Sequence, residues 1–438
     1  MKKILLSAVF GILAAFSFTG CYDAIFDSIR NEVELEEGTI TGFVHNIARY
    51  RFNDTEYLMT SNGSIYIKRA DISRHGAWAE VSGNGLPGTI SYSYWDSEFS
   101  GVHFYKVAAD ANNVYALGCD FVYDDDETRN VPDKFYLYAA DLTNPNGLVW
   151  SLVTDVTAEI NQYKDTLTGS NFGMDLSVHL FCTNTYDSAN RHAYIRIGGG
   201  SPYIANTANT NWKVYELNGN SSGTLRASDE TDHAEITSKT LSAVYFGGSV
   251  HFLRFLNAIT NEHEQTGHSA EYLYFGDDGD VLSSCKSSDW NDDIRDFCSG
   301  KVTTLADGNE EKLVRIGVGT GAPIISMCAT KDSLLLGTGY NRSTGSSSGS
   351  GKGIFKVTLA DDGTPGITTV SFSTNADSVM CAPYHVRLLF CTDPSKKESE
   401  ADLYSAVDYI YTAQSAGASI TNRGLWAYYP GRGNWNRE

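Results

Sequence analysis

The sequence predicts an all-β fold that is built from repeated four-stranded antiparallel units. The 438 residues include 26 Tyr and 20 Phe but 5 Met, a composition typical of strand-rich chains. Short apolar strands recur along most of the chain, and tight turns rich in Gly, Asn and Asp separate many of them. No long helical segment lies between the strands. These repeats fit a six-bladed β-propeller with four-stranded antiparallel blades, and seven blades are the alternative.

Six copies of the repeat can be followed along the chain. The clearest pair is residues 327–338 and 380–392, which both read Met-Cys-Ala, a turn and an aliphatic strand that ends in Thr. The predicted second strands are residues 57–60, 114–117, 193–197, 250–253, 334–338 and 387–392. The predicted third strands are residues 65–69, 135–139, 212–217, 271–275, 354–359 and 425–429. A seventh blade could lie between Cys285 and Thr320.

Two turns after predicted third strands share a further pattern. Asp71 to Trp78 and Asp141 to Trp150 both run Asp, turn, Gly and Trp. This pattern resembles the Asp-box turns of sialidase-like propellers, and the segments LLLGT and GKGIF resemble the sensor propellers of bacterial regulators. In the Asp-box families these residues brace the turn between the outer two strands and do not touch substrate. The resemblance therefore implies a structural role here.

The N-terminal segment has the zones of a secretory signal, with two lysines, an apolar run and small residues up to Gly20. The stretch Phe18-Thr19-Gly20-Cys21 resembles the lipobox of bacterial lipoproteins, which implies cleavage before Cys21 and attachment of diacylglycerol to its thiol. An ordinary signal peptide is the alternative. The expected organisation is a signal peptide over residues 1–20, a lipid-anchored tether over residues 21–37 and a single propeller domain over residues 38–438.

The lipid anchor predicts the location of the protein. Several buried acyl chains hold a protein on a membrane, whereas an apolar run under ~18 residues is short for a transmembrane helix. Tyr22 follows the cysteine where enteric lipoproteins retained in the inner membrane carry Asp, so the resemblance implies the outer membrane. We expect a cell-envelope protein that meets the membrane only through its lipid, on the periplasmic or the outer surface.

The net charge of the chain is −20 at neutral pH. A nucleic-acid partner would require clustered Lys and Arg, and the sequence contains no such cluster. The acidic balance is typical of a solvated surface that keeps an anchored protein soluble.

Predicted loop lengths differ between the two faces of the propeller. The predicted loops between second and third strands are long at residues 118–134, 198–211, 256–270, 339–353 and 393–424, whereas most first-to-second and third-to-fourth turns are short. Loops on a rigid scaffold commonly bind ligands. The candidate ligand-binding residues on this long-loop face combine flat rings with polar tips, and they are Tyr123, Tyr203, Trp212, Tyr340, Tyr409 and Tyr411. The alternative is that these rings only pack the loops.

Two acidic turns and one cysteine pair are further candidates. Calcium prefers oxygen ligands, which Asp124, Asp126, Asp277 and Asp280 could supply, although neither turn has the ligand spacing of an EF-hand loop. No other cofactor is predicted. Export permits disulfides, and Cys285 with Cys298 in one long connection is the favoured pair.

The sequence thus favours a binding module for a protein or a glycan, without catalysis. No Gly-x-Ser-x-Gly nucleophile motif stands out. The alternatives are a hydrolase or lyase acting on carbohydrate, which requires a cluster of carboxylates or of Arg, Tyr and acid at the channel mouth, and a structural scaffold of an envelope complex.

Overall fold

The computed structural model describes the chain in segments between residues 40 and 438. They are residues 40–42, 44–88, 101–125, 129–161, 178–183, 186, 188–189, 191–198, 212–217, 226–227, 245–247, 253–255, 258–260, 272–276, 281–289, 291, 293–294, 297, 303–317, 324–338, 353–371, 385–408, 424–432 and 435–438.

Within these residues the chain forms six four-stranded antiparallel sheets and one two-stranded sheet. Strands that follow one another in sequence are neighbours in each sheet. Sheet 1 contains β1 to β4, at Ile47–Phe52, Thr55–Ser61, Ile65–Arg69 and Ala79–Val81. Sheet 2 contains β5 to β8, at Val102–Ala109, Asn113–Asp124, Arg129–Asp141 and Trp150–Asp155. Sheet 3 contains β9 to β12, at Val178–Thr183, His192–Gly198, Trp212–Leu217 and Arg226–Ala227.

The second half of the chain repeats this arrangement. The two-stranded sheet contains β13 and β14, at Tyr245–Gly247 and Leu253–Phe255. Sheet 4 contains β15 to β18, at Ala258–Thr260, Tyr272–Gly276, Val281–Lys286 and Val314–Gly317. Sheet 5 contains β19 to β22, at Ile324–Ala329, Ser333–Thr338, Ile354–Leu359 and Pro365–Ser371. Sheet 6 contains β23 to β26, at His385–Cys391, Leu403–Asp408, Gly424–Tyr428 and Trp435–Arg437.

The described helices are short. Helix α1 spans Thr157–Asn161 after sheet 2, and 3-10 turns occur at Ser287–Asp289 and Glu398–Glu400. Among the described residues no helix is long and apolar enough to cross a membrane.

The apolar core lies between successive sheets. Separate clusters of buried side chains join sheet 1 to sheet 2, sheet 2 to sheet 3, sheet 4 to sheet 5, and sheet 5 to sheet 6. A further cluster joins the last sheet to the first, through residues such as Ile47, Leu58 and Trp78 on one side and Tyr404 and Leu425 on the other. Four-stranded meanders that pack face to face, with the last against the first, form a β-propeller. The predicted all-β fold of four-stranded antiparallel sheets is confirmed.

The chain just before β1 also helps to join the two ends of the ring. The backbone N–H of Ile40 donates to the carbonyl oxygen of Glu438 at 2.9 Å, and Leu425 donates to the carbonyl oxygen of Ile40 at 2.9 Å. The side chain of Asn46 then bridges the first strands of the next two sheets. Its Nδ2 donates to the carbonyl oxygens of Val107 at 2.6 Å and Leu180 at 3.1 Å. These contacts satisfy backbone groups that would otherwise be unpaired at the inner edges of sheets 2 and 3.

Two second strands carry a glycine where the neighbouring first strand bulges. The β5–β6 register shifts between Phe104 and Lys106, and the β19–β20 register shifts between Ile324 and Ser326. A Cβ added to Gly118 would lie 2.4 Å from Val102, and one added to Gly337 would lie 2.1 Å from Ser326. The close approach of the two strands therefore requires glycine at both positions.

The two turns that resemble Asp-boxes use their aspartates differently. Asp141 Oδ1 accepts hydrogen bonds of 2.7 Å from both the N–H and the hydroxyl of Thr143, which braces the turn. Asp71 instead pairs with Arg69 on the surface, at 2.6 Å. In both turns the glycine has a left-handed backbone and the tryptophan is buried.

Several strand assignments made from the sequence were wrong. Of the predicted third strand 271–275, residues 272–275 belong to the second strand of sheet 4. Residues 387–392, predicted as a second strand, fall mostly in the first strand of sheet 6. The predicted loop 393–424 contains β24. The predicted loop 118–134 is mostly the long hairpin of β6 and β7, which remain paired out to Asp124 and Arg129. Between Cys285 and Thr320, the described residues include the outer strand of sheet 4.

Candidate binding site at the centre of the ring

A charged and aromatic cluster lies where the first strands of sheets 1, 3 and 6 end. Arg49 of β1 donates through Nε to Glu56 Oε2 at 3.0 Å, and through Nη1 to the carbonyl oxygen of Thr392, which follows β23. Tyr186, in the connection between β9 and β10, donates through its hydroxyl to the carbonyl oxygen of Cys391 at 2.7 Å. Arg191, just before β10, lies 3.7 Å from Glu56 Oε2 through Nη2. We call these four side chains, Arg49, Glu56, Tyr186 and Arg191, the central cluster.

The position of the central cluster follows from the order of the sheets. Sheet 3 follows sheets 1 and 2 in the chain, and sheet 6 packs on sheets 5 and 1. Contacts from sheet 3 to sheets 1 and 6 therefore cross the middle of the ring. The cluster lies at the end where first strands turn into second strands.

The side chains of the central cluster are organised around one carboxylate. Glu56 accepts from Arg49 and lies beside Arg191, so two guanidinium groups share one anion. The guanidinium carbon of Arg49 also lies 5.4 Å from the centre of the Tyr186 ring, a cation–π distance. Within these four side chains, two guanidinium groups face one carboxylate.

The central cluster is partly open to solvent. The side chain of Arg49 is 17% exposed and that of Glu56 is 26% exposed, whereas Arg191 is fully buried. Arginine donates in a planar fork, carboxylate oxygens accept, and a tyrosine ring offers an apolar face beside a polar tip. A ligand with hydroxyl or carboxylate groups can therefore form hydrogen bonds and a stacking contact at the same place.

The thiols next to the cluster are unsuited to nucleophilic chemistry. Burial raises the pKa of Cys391 to about 12 and that of Cys182 to about 11, so both thiols stay protonated at neutral pH. Within the part of the chain that the structure describes, no group of three or more His, Cys, Asp or Glu side chains could hold a metal ion.

The site residues predicted from sequence do not belong to the central cluster where the structure describes them. Tyr123 and Asp124 lie in the β6–β7 hairpin, where their backbones pair with Asn130 and Arg129. Trp212 is the first residue of β11 and pairs with Gly198. The remaining candidates lie outside the described residues, and they are Cys21, Tyr203, Tyr340, Tyr409, Tyr411, Asp126, Asp277, Asp280 and Cys298. The calcium site therefore stays a prediction. So does the disulfide, of which the structure describes only the buried Cys285.

Sequence reasoning missed all four members of the central cluster. Arg49 interrupts the apolar pattern of an inner strand, which was a usable signal. Tyr186 and Arg191 lie in a connection that carries no motif, and only the closing of the ring brings them to sheets 1 and 6.

Comparisons with known proteins give a likeness of overall shape. No protein family and no curated protein matches the sequence. Among solved structures, a putative oxidoreductase (glucose dehydrogenase) from Thermus thermophilus has a TM-score of 0.39 at 12% identity, over 90% of this chain and 100% of that chain. An exo-1,5-alpha-L-arabinanase from a bovine ruminal metagenomic library has a TM-score of 0.31 at 9% identity, over 76% and 99%. The GH43_1 enzyme from Xanthomonas citri complexed with xylose has a TM-score of 0.32 at 11% identity, over 79% and 96%. Likenesses this weak carry no argument about function.

Proposed function

We propose that this protein is a lipid-anchored cell-envelope protein with a six-bladed propeller that binds a glycan at the central cluster. The observation that carries the proposal is the convergence of Arg49 and Glu56 of sheet 1 with Tyr186 of sheet 3 at a partly exposed position. Sugars offer hydroxyl groups to such donors and acceptors, and they offer an apolar ring face to an aromatic side chain.

Glycan binding is preferred to the other two functions that the sequence allows. Glycoside hydrolysis ordinarily requires a pair of carboxyl groups flanking the scissile bond. The four side chains of the central cluster include one carboxylate, that of Glu56, and both arginines approach it. A purely structural scaffold requires no partly exposed charged cluster. The lipid anchor at Cys21 and the outer-membrane location rest on the N-terminal sequence alone.

The test is a binding measurement with the full-length protein and defined sugars. Oligosaccharides of arabinan and xylan and a uronic-acid oligosaccharide would be screened by calorimetry. Arg49→Met and Tyr186→Leu should each weaken binding of a positive sugar by about tenfold or more, because a bound group loses a charged donor or a stacking face.

Arg69→Gln is the matched control, because Arg69 lies in the same sheet but pairs with Asp71 on the surface. The Arg69→Gln variant should bind the sugar with the same affinity as the wild type. If folded Arg49→Met and Tyr186→Leu variants bind the sugar as tightly as the wild type, the central cluster is not the site. Release of reducing ends from the sugar would favour the hydrolase instead.

A further inference from the structure

The contact between sheets 1 and 6 contains a lysine and a glutamate that are both sealed from solvent. Lys68 lies in β3 and Glu438 follows β26, and both side chains are 0% exposed. Lys68 Nζ lies 3.8 Å from Glu438 Oε2. This pair joins the first and last sheets of the ring.

The amine of Lys68 is held in an aromatic pocket. Its Nζ lies 5.8 Å from the ring centre of Trp78, 5.2 Å from that of Tyr404 and 4.7 Å from that of Tyr429. It donates to the carbonyl oxygen of Arg74 at 3.1 Å, to the hydroxyl of Tyr404 at 2.9 Å and to the hydroxyl of Tyr429. Burial lowers the pKa of Lys68 to about 8, so roughly a tenth of the amine is neutral and nucleophilic at pH 7.

The carboxyl group of Glu438 is oriented by two groups on one of its oxygens. Oε1 accepts a hydrogen bond of 2.6 Å from the Tyr429 hydroxyl and lies 2.9 Å from His75 Nδ1. Oε2 is buried and accepts no hydrogen bond from the described residues. Donors on one oxygen of a carboxyl group stabilise the charge that develops there when a nucleophile attacks the carbon. The other oxygen then faces the amine.

We propose that Lys68 and Glu438 condense to an isopeptide bond that links sheet 1 covalently to sheet 6. One proton first passes from the Lys68 ammonium to Oε2 of Glu438, and the neutral amine then attacks Cδ through its nitrogen lone pair and forms the C–N bond. The bond between Cδ and Oε2 breaks, and Oε2 leaves as water with two of the three ammonium protons. Tyr429 and His75 stabilise the charge on Oε1 during the attack. No oxidant, reductant or other reactant is required.

The fold supplies the conditions that such a condensation needs. Two groups fixed next to each other react with effective concentrations on the order of 10⁵ M or more when their geometry is favourable. The site also excludes the bulk water that would reverse the reaction, because neither side chain is exposed. The product would close the ring between its first and last sheets, where an open propeller would otherwise separate.

Mass spectrometry of the purified full-length protein tests the proposal. The linked protein should be lighter by one water molecule than its processed sequence requires. Digestion at aromatic residues should release a branched peptide that joins the segments around Lys68 and Glu438. Lys68→Arg, which keeps the positive charge, should show neither change. Glu438→Gln should lose ammonia in place of water and form the same link.

The rate of linking separates a role in the reaction from a role in folding. After refolding from urea, Tyr429→Phe should lose water at least tenfold more slowly than the wild type, because it removes a donor to Oε1. The proposal is overturned if the folded wild-type protein keeps the unlinked mass and trypsin cleaves it after Lys68. It is equally overturned if water is lost but Lys68→Arg loses it too.

Discussion

The hydroxyl of Tyr186 donates a hydrogen bond of 2.7 Å to the carbonyl oxygen of Cys391, and so connects sheet 3 to sheet 6. These sheets are not consecutive in the ring, so this contact spans its centre. It also fixes the Tyr186 ring next to Arg49. The central cluster is thus held by the closed ring.

Two replacements of Tyr186 should therefore lower the stability of the fold by different amounts. Tyr186→Phe removes one hydrogen bond and leaves the Cys391 carbonyl without that donor, which should lower the free energy of unfolding by about 1 kcal/mol. Tyr186→Leu also removes the ring contact with Arg49 and should cost more. Urea denaturation measures both. Equal stability of all three proteins would show that the connection across the ring contributes nothing.

The glycine that faces the bulge of β19 should be intolerant of a side chain. Gly337→Ala places a Cβ 2.1 Å from Ser326 Oγ and 2.7 Å from Val386 Cγ1, at the contact between sheets 5 and 6. Overpacking of this kind costs about 1–3 kcal/mol. Gly317→Ala is the matched control, since that glycine also lies in a strand and has nothing within 4 Å of the added carbon. Thermal denaturation should show a loss for Gly337→Ala only, and matching losses in both variants would contradict the packing argument.

Alkaline pH should destabilise the protein through its buried thiols. Burial raises the pKa of Cys119 and Cys328, and raises that of Cys391 to about 12. The unfolded chain releases these thiol protons at about pH 8.5. Below that pH the stability is unaffected, and as the pH rises from there toward the pKa values of the folded protein, the free energy of unfolding falls by about 1.4 kcal/mol per thiol and pH unit.

Urea midpoints measured in reductant from pH 7 to pH 10 test this pH dependence. The midpoint should fall above pH ~9, and the fall should be shallower in Cys391→Ala because one thiol no longer titrates. Identical slopes in the two proteins would mean that Cys391 ionises as readily in the folded chain as in the unfolded chain.

The cysteine of the lipobox-like stretch should carry the membrane anchor. Cys21→Ser removes the thiol that would receive diacylglycerol, and no second anchor is expected. In a bacterial host, wild-type protein should incorporate a labelled fatty acid and fractionate with membranes, whereas Cys21→Ser should do neither. If the Cys21→Ser variant still incorporates the labelled fatty acid, the lipid is attached at another residue. If the wild type incorporates none, the protein is not a lipoprotein.

The four-stranded unit could be predicted because its signals are local. Apolar alternation and turn residues located β2, β3, β20 and β21 close to their observed bounds. The order of strands failed in sheets 4 and 6, because a strand such as β24 lies within a polar stretch that reads as a loop. When one of the four strands of a sheet is not recognised, the apolar pattern cannot show which positions in the sheet the other strands occupy.

The central cluster could not be predicted for a different reason. Arg49 and Glu56 are close in sequence, but Tyr186 and Thr392 reach them only through the closed ring. The same holds for Lys68 and Glu438, which are far apart in the chain yet lie 3.8 Å apart in the fold.

Footprinting of the sugar complex tests the central claim most directly. A sugar found in the binding screen would be added to the full-length protein, and side-chain labelling would be compared with and without it. Protection should fall on residues 49–56 and 186–191. Protection confined to residues 199–211, 339–352 or 409–423, with residues 49–56 and 186–191 unchanged, would place the binding site on the long-loop face and contradict the account.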